Sequence, residues 1–235
     1  MANILVCSMY KSGSNHIADS LANLLGCHRT FLSAPGEGYA QDAQRLDPIS
    51  MAALFNRLDG MVYLQHILGT RANVSLIKYF GAYTIVTMRK LFPALHSLRR
   101  YEELLIKDGR KDDKYINKDW PNWSDEDKWR WLAYNAIPWY YQHYVSWGSA
   151  DIPKHIVWFE KHFENQVASA ERMCDFLGVT AKYSDIEKAF LHKNSNYTSD
   201  RTEYPMPDFV RDIAYDQARG WGLWETPIRR QLLDD

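Results

Sequence analysis

The sequence predicts an α/β fold, a single domain with a central parallel sheet flanked by helices. Continuous apolar runs of strand length occur at residues 3–8, 61–65, 83–88 and 155–159, as expected for strands covered on both faces. Segments of helical periodicity alternate with these runs, which favours parallel strands connected through helices. No internal repeat and no linker rich in Gly and Ser interrupts the 235 residues, so we expect one domain.

The other elements are predicted from periodicity and from the positions of Gly and Pro. Apolar residues at helical spacing after the first strand, from Ile17 to Leu25, indicate a helix that Gly26 ends. Loops are predicted at 30–48 and 108–127. Further helices are predicted at 49–57, 73–80, 91–107, 125–147 with a kink at Pro138, 163–177 and, in patches, from 183 onward.

Composition narrows the class of protein. Hydrophobic residues make up 46% of the chain and charged residues 24%, which is typical of a folded globular protein and excludes a disordered or fibrous chain. The chain has 28 Lys and Arg against 29 Asp and Glu, so the net charge is -1 and the basic excess of proteins that coat nucleic acid is missing. We therefore expect no nucleic-acid partner.

The cysteines and the apolar segments bear on location. Cys7, Cys27 and Cys174 form an odd set without Cys-x-x-Cys spacing, which favours reduced thiols over a secreted disulfide framework. No window of about 18 apolar residues predicts a transmembrane helix, and residues 1–7 lack the features of a signal peptide. These patterns predict a cytoplasmic protein with no membrane partner.

The loop after the first strand carries the clearest chemical signal. It reads KSGSNH over residues 11–16, at the start of a helix whose first N–H groups are unpaired and carry partial positive charge. Gly13 lets an anion approach the backbone, and Lys11 adds a full positive charge. Ser12 and Ser14 offer hydroxyl groups. The loop therefore predicts a phosphate or sulfate site; the alternative is an ordinary capped helix start.

Two other predicted strand ends carry polar residues. His66 follows the strand at 61–65, and Arg89 follows the strand at 83–88. Because ligands of open parallel sheets bind at the carboxyl ends of the strands, we expect both residues to lie at the same sheet edge as the Lys11 loop.

Residues 10–16 (YKSGSNH) resemble the P-K-S-G-T-T-W loop of the sulfotransferases that use 3′-phosphoadenosine 5′-phosphosulfate (PAPS). The loop is not a Walker A motif, because the lysine precedes the glycine. In that family the loop holds the 5′-phosphosulfate of the donor, so the resemblance assigns this role to Lys11, Ser12, Gly13, Ser14 and Asn15. His16 stands where a Trp usually stacks on the adenine, and a His offers a smaller ring for stacking.

A second motif follows at the family's spacing. Arg89 and Ser97 match the R-x₇-S motif that binds the 3′-phosphate, and a guanidinium can bind phosphate with two parallel hydrogen bonds. The alternative is that Arg89 pairs with a carboxylate while Ser97 faces solvent. Residues 159–161 (FEK) and 174–178 (CDFLG) are similar to the family's Y-E-D strand end and F-L-G helix end, so the resemblance runs over about residues 3–180.

The last donor-binding motif of the family, R-K-G-x-x-G-x-W, is matched only loosely. Arg201 or residues 219–222 (RGWG) stand in for it. The resemblance as a whole implies a P-loop NTPase-like sulfotransferase fold with PAPS as cosubstrate, 3′,5′-adenosine bisphosphate (PAP) as product, and no metal.

His66 is the candidate general base. It lies in the sequence LQHI, where many family members have K-T-H-L with a basic His. A histidine, whose ordinary pKa is about 6.5, suits removal of a proton from an acceptor near neutral pH. One alternative is a core histidine that binds a backbone carbonyl. Another is that Glu37, in the loop rich in Pro and Gly, is the base.

These features together predict an enzyme that transfers a sulfuryl group from PAPS to a hydroxyl or amine of a small-molecule or carbohydrate acceptor. Lys11 would neutralise charge on the bridging oxygen of the leaving phosphate. The Trp residues of 120–147 are assigned mainly to the core, with one or two lining the acceptor pocket.

Two other functions stay open on the sequence. A P-loop-type nucleotide-dependent kinase would need a carboxylate for Mg²⁺ at a strand end. A catalytically degenerate protein would bind an adenosine phosphate without turnover. The sequence allows a homodimer without specifying one.

Overall fold

The computed structural model describes residues 3–32, 44–55, 60–108, 119–191 and 204–233. Its sheet is wholly parallel, in the order β2-β3-β1-β4-β5. The strands are β1 (Asn3–Ser8), β2 (His28–Thr30), β3 (Met61–Gln65), β4 (Tyr83–Met88) and β5 (Lys154–Trp158). The predicted α/β class with a central parallel sheet is confirmed, and the four predicted strands lie within one residue of their predicted bounds.

The helices in these ranges begin and end close to the predicted bounds. They are α1 (Ser14–Leu25), α2 (Pro48–Phe55), α3 (Arg71–Phe80), α4 (Leu91–Lys107), α5 (Asp125–Ser149), α6 (Phe159–Glu164), α7 (Gln166–Leu177), α8 (Tyr183–Phe190), α9 (Asp208–Gly220) and α10 (Pro227–Leu232). The helix assignment of α5 runs unbroken through Pro138.

Three predictions need correction. β2 was not predicted as a strand, and it ends at Thr30, the first residue of the expected loop 30–48. A 3-10 turn at Trp120–Asn122 falls within the expected loop 108–127, while α5 begins at Asp125 as predicted. The expected helix at 163–177 is two helices, because Asn165 breaks it and caps α7 by accepting a 3.0 Å hydrogen bond from the N–H of Ala168.

The described residues divide into two compact units. The first lies within Met1–Arg89 and His143–Tyr197, and the second within Lys90–Gln142 and Thr198–Asp235. The first unit contains the whole sheet together with Lys11, His66 and Arg89. That the chain is one domain stays a prediction.

The core of the first unit lies on both faces of the sheet. Ile4 and Val6 of β1 pack toward α1, α7 and α8 in one continuous apolar cluster. Leu5 and Cys7 alternate to the opposite face and are fully buried. On the sheet, the ring of Tyr63 stacks on Phe55 of α2 with centroids 4.9 Å apart. Helices therefore cover both faces, which explains why these strands are apolar along their whole length.

The three cysteines are free thiols in this fold, and Cys7 and Cys174 are buried. Burial raises the pKa of the Cys7 thiol well above its usual range. Among the described helices, none has both the length and the apolar character that a membrane span requires.

The register of the strands aligns their carboxyl ends. Cys7 pairs with Gln65, Ser8 pairs with Thr87, and Met88 pairs with Trp158. The residues that follow the strands therefore emerge side by side at one edge of the sheet, as predicted for the Lys11 loop, His66 and Arg89.

Candidate active site

The loop after β1 is curled by two residues in the left-handed region. Lys11 has φ +62° and Gly13 has φ +76°. For a residue with a side chain this conformation costs about 1–2 kcal/mol. The carbonyl of Lys11 accepts a 2.8 Å hydrogen bond from Nη1 of Arg89, which helps to hold the unusual conformation. The loop is therefore a fixed turn whose shape depends on the end of β4.

The hydroxyl of Ser12 connects this turn to β4. It donates to the carbonyl of Met9 at 2.6 Å and lies 2.6 Å from Oγ1 of Thr87 on β4. Ser12 is fully buried, and a buried hydroxyl is stable only when it is hydrogen-bonded in this way. The resemblance does not foresee these protein contacts, and donor binding by Ser12 stays a prediction.

Gly13 begins α1 without a capping side chain. Two other helices of the unit have such a cap, because Thr70 at α3 and Asn165 at α7 accept from first-turn N–H groups, whereas α6 and α8 lack one as α1 does. The alternative of an ordinary capped helix start therefore does not describe α1. Its first N–H groups, including that of the buried Ser14, are left for another acceptor, and an anion would serve.

Gly13 also lies against two aromatic rings. A Cβ atom at this position would come within 3.0 Å of Phe159 Cδ2 and of Phe163 Cε2. Two features of this position therefore favour glycine, its φ angle and the closeness of the two rings.

Arg89 links the ends of three strands. Besides its bond to Lys11, its guanidinium carbon lies 3.9 Å from the ring centroid of Phe159, the first residue after β5. The carbonyl of Arg89 accepts a hydrogen bond from the hydroxyl of Tyr144 in α5.

His66 is 5% exposed and follows β3 directly. Its ring lies 4.2 Å from the ring of Tyr10, centroid to centroid, and its carbonyl accepts a 2.9 Å bond from Nε2 of Gln44. The structure therefore brings His66 beside the Lys11 loop. Whether it acts as the base stays a prediction.

His143 in α5 is a second histidine at this edge that the sequence analysis missed. It is fully buried against the backbone of Thr87 and Ile67, and His66 lies close enough to influence its charge. Burial lowers the pKa of His143 to about 3. It is one of eight histidines, and no motif distinguishes it in the sequence.

His16 and Asn15 make protein contacts that the resemblance does not foresee. Asn15 is exposed, and its Oδ1 accepts a 2.6 Å bond from Nη2 of Arg29. The ring of His16 is 7% exposed and packs 5.5 Å from His162 and 5.3 Å from Phe163, centroid to centroid. Adenine stacking by His16 stays a prediction, and it would require a face of this packed ring to become accessible.

His162 completes this cluster and is fully buried. Burial, together with the nearby His16 and Arg172, lowers its pKa to about 3. The pKa of His16 is also lowered by burial, although Gln166 and Asp19 act in the opposite direction. Both rings are therefore neutral at neutral pH.

The remaining predicted residues lie elsewhere. Ser97 is half-buried on α4, which belongs to the second unit, so the Arg89–Ser97 motif stays a prediction. Residues 219–222 lie at the end of α9 in the same unit. Glu37 and Arg201 are outside the described residues. Within the described ranges, no group of three or more His, Cys, Asp or Glu is placed to hold a metal ion.

Neither a protein-family model nor a curated protein sequence matches the chain. Solved structures do. Mouse sulfotransferase SULT7A1 complexed with PAP is 17% identical with TM-score 0.60, covering 97% of this chain and 84% of that one. Retinol dehydratase in complex with androsterone and the inactive cofactor PAP is 13% identical with TM-score 0.55, covering 93% of this chain and 79% of that one.

A third match is a sulfotransferase from Alicyclobacillus acidocaldarius, 16% identical with TM-score 0.50, covering 95% of this chain and 96% of that one. The chain therefore has the sulfotransferase fold, as its sequence motifs predict. At these identities the likeness establishes the fold alone.

The two constraints on Gly13 can be separated by a matched pair of variants. Gly26→Ala replaces a glycine of similar φ that has open space around it, so it should lose only about 1–2 kcal/mol of unfolding free energy. Gly13→Ala should lose more, because the added methyl group also meets Phe159 and Phe163. Urea unfolding of both variants measures the difference. Equal losses would mean that the aromatic contact does not constrain Gly13.

The low pKa of His162 predicts an acid-sensitive fold. Below about pH 6.5 the unfolded chain binds a proton at this residue that the folded chain does not, so stability falls by about 1.4 kcal/mol per pH unit until the pH nears the folded pKa. His162→Phe keeps an aromatic ring among Phe163 and Phe190 and removes the titrating group. Its unfolding free energy should fall less steeply than that of the wild type between about pH 6.5 and about pH 5. An unchanged slope would contradict the assignment.

Proposed function

We propose that the protein is a PAPS-dependent sulfotransferase acting on a hydroxyl or amine of a small-molecule or carbohydrate acceptor. One observation carries the proposal: the curled Lys11–Gly13 turn, Arg89 and His66 meet at the carboxyl edge of the sheet. The sulfotransferase fold supports it. So does the fact that two structural neighbours were crystallised with PAP.

The donor site is proposed at the start of α1. The uncapped N–H groups after Gly13, with Lys11 at the mouth of the turn, would hold the 5′-phosphosulfate end, and Ser14 and Asn15 would contribute from the first turn. Arg89 and Ser97 would hold the 3′-phosphate. Arg201 or residues 219–222 would complete the nucleotide site. Ser12 supports this site indirectly by tying the turn to β4.

When bound, PAPS supplies the sulfuryl group, which an acceptor oxygen or nitrogen attacks at sulfur as the bond to the bridging phosphate oxygen breaks. His66 would accept the proton of the acceptor. The ammonium group of Lys11 would balance the charge that develops on the bridging oxygen. Glu37 is the second candidate for the base.

The kinase alternative has less support. The positions directly after β3 and β4, where a Mg²⁺-binding carboxylate would be expected, hold His66 and Arg89. A thermal-shift comparison of PAP with ATP plus Mg²⁺ tests the choice. Stabilisation by PAP supports the sulfotransferase, and stabilisation only by ATP with Mg²⁺ would reverse it. Binding of PAP without transfer to any acceptor would favour the degenerate protein.

Arg89→Ala tests recognition of the 3′-phosphate. Because charge-assisted hydrogen bonds contribute about 1.5–3 kcal/mol, PAP binding should weaken by about that amount. Arg89 also holds Lys11, so the variant should weaken 5′-AMP too, but less, since 5′-AMP lacks the 3′-phosphate. Calorimetry with both ligands separates the two roles. If both ligands lose the same binding free energy, Arg89 only shapes the loop.

His66→Ala and His66→Gln together test the base. Both should lower kcat about 10²–10⁴-fold and leave PAP affinity nearly unchanged. The wild-type kcat should fall on the acid side, where imidazole is protonated, and this limb should be missing in both variants. The acceptor must first be found by a screen of phenols, alcohols, amines and sugars.

His28→Ala, at an exposed position, is the control and should match the wild type. Glutamine can replace a histidine that only makes a structural hydrogen bond, but it cannot act as a base near neutral pH. If His66→Gln restores turnover to wild-type values, His66 is a core residue, and Glu37 becomes the residue to change next.

A further inference from the structure

The last turns of α5 contact the strand ends from which the proposed site is built. We call residues 143–147 (HYVSW) the positioning segment. Its side chains come from a helix whose aromatic residues the sequence analysis assigned to the core or to the acceptor pocket. Three hydrogen bonds connect this segment to the loops after β3 and β4.

Tyr144 contacts the donor half of the site, which is formed by Arg89 and the Lys11 turn. Its hydroxyl donates to the carbonyl of Arg89, and its ring stacks on Trp158, the last residue of β5, with centroids 5.9 Å apart and planes 19° apart. The side chain of Arg89 in turn donates to Lys11 and lies over Phe159. Fixing the Arg89 peptide therefore fixes the point from which its guanidinium reaches the turn.

Trp147 contacts the acceptor half of the site, which is the loop after β3 that carries His66. Its indole N–H donates to the carbonyl of Ile67, directly after His66, at 2.9 Å. The N–H of Gly69 donates to Oγ of Ser146, also at 2.9 Å. This loop lies so close to the helix that a Cβ atom on Gly69 would come within 2.8 Å of the Ser146 carbonyl oxygen. The loop that carries His66 is thus held against the positioning segment.

We propose that Tyr144 and Trp147 are positioning residues, Tyr144 for Arg89 and Trp147 for His66. The proposal rests on the proposed function, because it assigns the two residues to different halves of that site. Both act through a backbone carbonyl. Since a misplacement of about 1 Å can cost about 10²-fold in rate, such contacts are enough to control catalysis from outside the reacting atoms.

The proposal predicts that two variants, each of which keeps an aromatic side chain, change different properties of the enzyme. Tyr144→Phe removes the bond to Arg89 and should raise the Kd of PAP about two- to tenfold, with a smaller rise in the Kd of 5′-AMP and with kcat at saturating PAPS nearly unchanged. Trp147→Phe removes the bond to Ile67 and should lower kcat about tenfold to a hundredfold, shift the pH profile of kcat, and leave the Kd of PAP unchanged.

Trp147→Phe also leaves a smaller ring in a buried site, so a second variant is needed. Gly69→Ala keeps Trp147 and displaces the same loop sterically, and it should show the same selective loss of kcat. Tyr134→Phe and Ser149→Ala change exposed residues of the same helix and should match the wild type. If the variants change the Kd of PAP and kcat together, or change neither, the proposal is overturned.

Amide hydrogen exchange of the ligand-free protein tests the positioning without any substrate. Trp147→Phe should speed exchange at residues 67–69, and Tyr144→Phe should speed it at residues 87–89, each about two- to tenfold. Exchange that rises across the whole first unit would overturn the proposal. A wild-type protein that neither binds PAP nor transfers a sulfuryl group would instead refute the proposed function, and the exchange pattern would still decide whether the two contacts act locally.

Discussion

The candidate site depends on one guanidinium. Arg89 donates to the carbonyl of Lys11 at 2.8 Å and lies 3.9 Å from the ring centroid of Phe159, so it connects the ends of β1, β4 and β5. A hydrogen bond from a charged group contributes about 1.5–3 kcal/mol, and a cation–π contact about 0.5–2 kcal/mol. These contributions are large enough to offset the left-handed conformation of Lys11, which costs about 1–2 kcal/mol. Arg89 therefore stabilises the curled turn, together with the hydroxyl of Ser12.

The sequence predicted those parts of the fold that local patterns determine. β1, β3 and β4 are continuous apolar runs because they are buried within the sheet, and burial imposes that composition directly. β5 is an edge strand in which Ile156 is exposed, and its apolar residues still identified it. β2 was not predicted, because it has no apolar run. His28–Thr30 is a short edge strand whose first residue is exposed. The break at Asn165 was available as an N-cap signal, but the apolar periodicity continues through it and hid the boundary.

The sequence predicted the site only where the position of a residue along the chain determines its place in the fold. Residues that follow strands must emerge at one edge of a parallel sheet, so the meeting of the Lys11 turn, His66 and Arg89 follows from topology. Tertiary contacts decided the rest. Ser12 looks like an anion ligand in the sequence, yet its hydroxyl is taken by Met9 and Thr87. His143 and the hydrogen bonds of Tyr144 and Trp147 carry no local signature, since their partners are 55 to 80 residues away.

The buried histidines determine which groups can attract an anion to this edge. Burial holds the pKa of His143 and His162 at about 3 and lowers that of His16, so all three rings are uncharged at neutral pH. A neutral His143 places no positive charge beside His66. His143 therefore affects His66, the proposed proton acceptor, through packing and not through charge. Of the predicted site residues that the structure describes in the first unit, Lys11 and Arg89 carry a full positive charge. Lys11 lies in the turn before α1, and Arg89 reaches that turn from the end of β4. The charge that would bind a phosphosulfate is thus concentrated where the first N–H groups of α1 are left without a capping side chain.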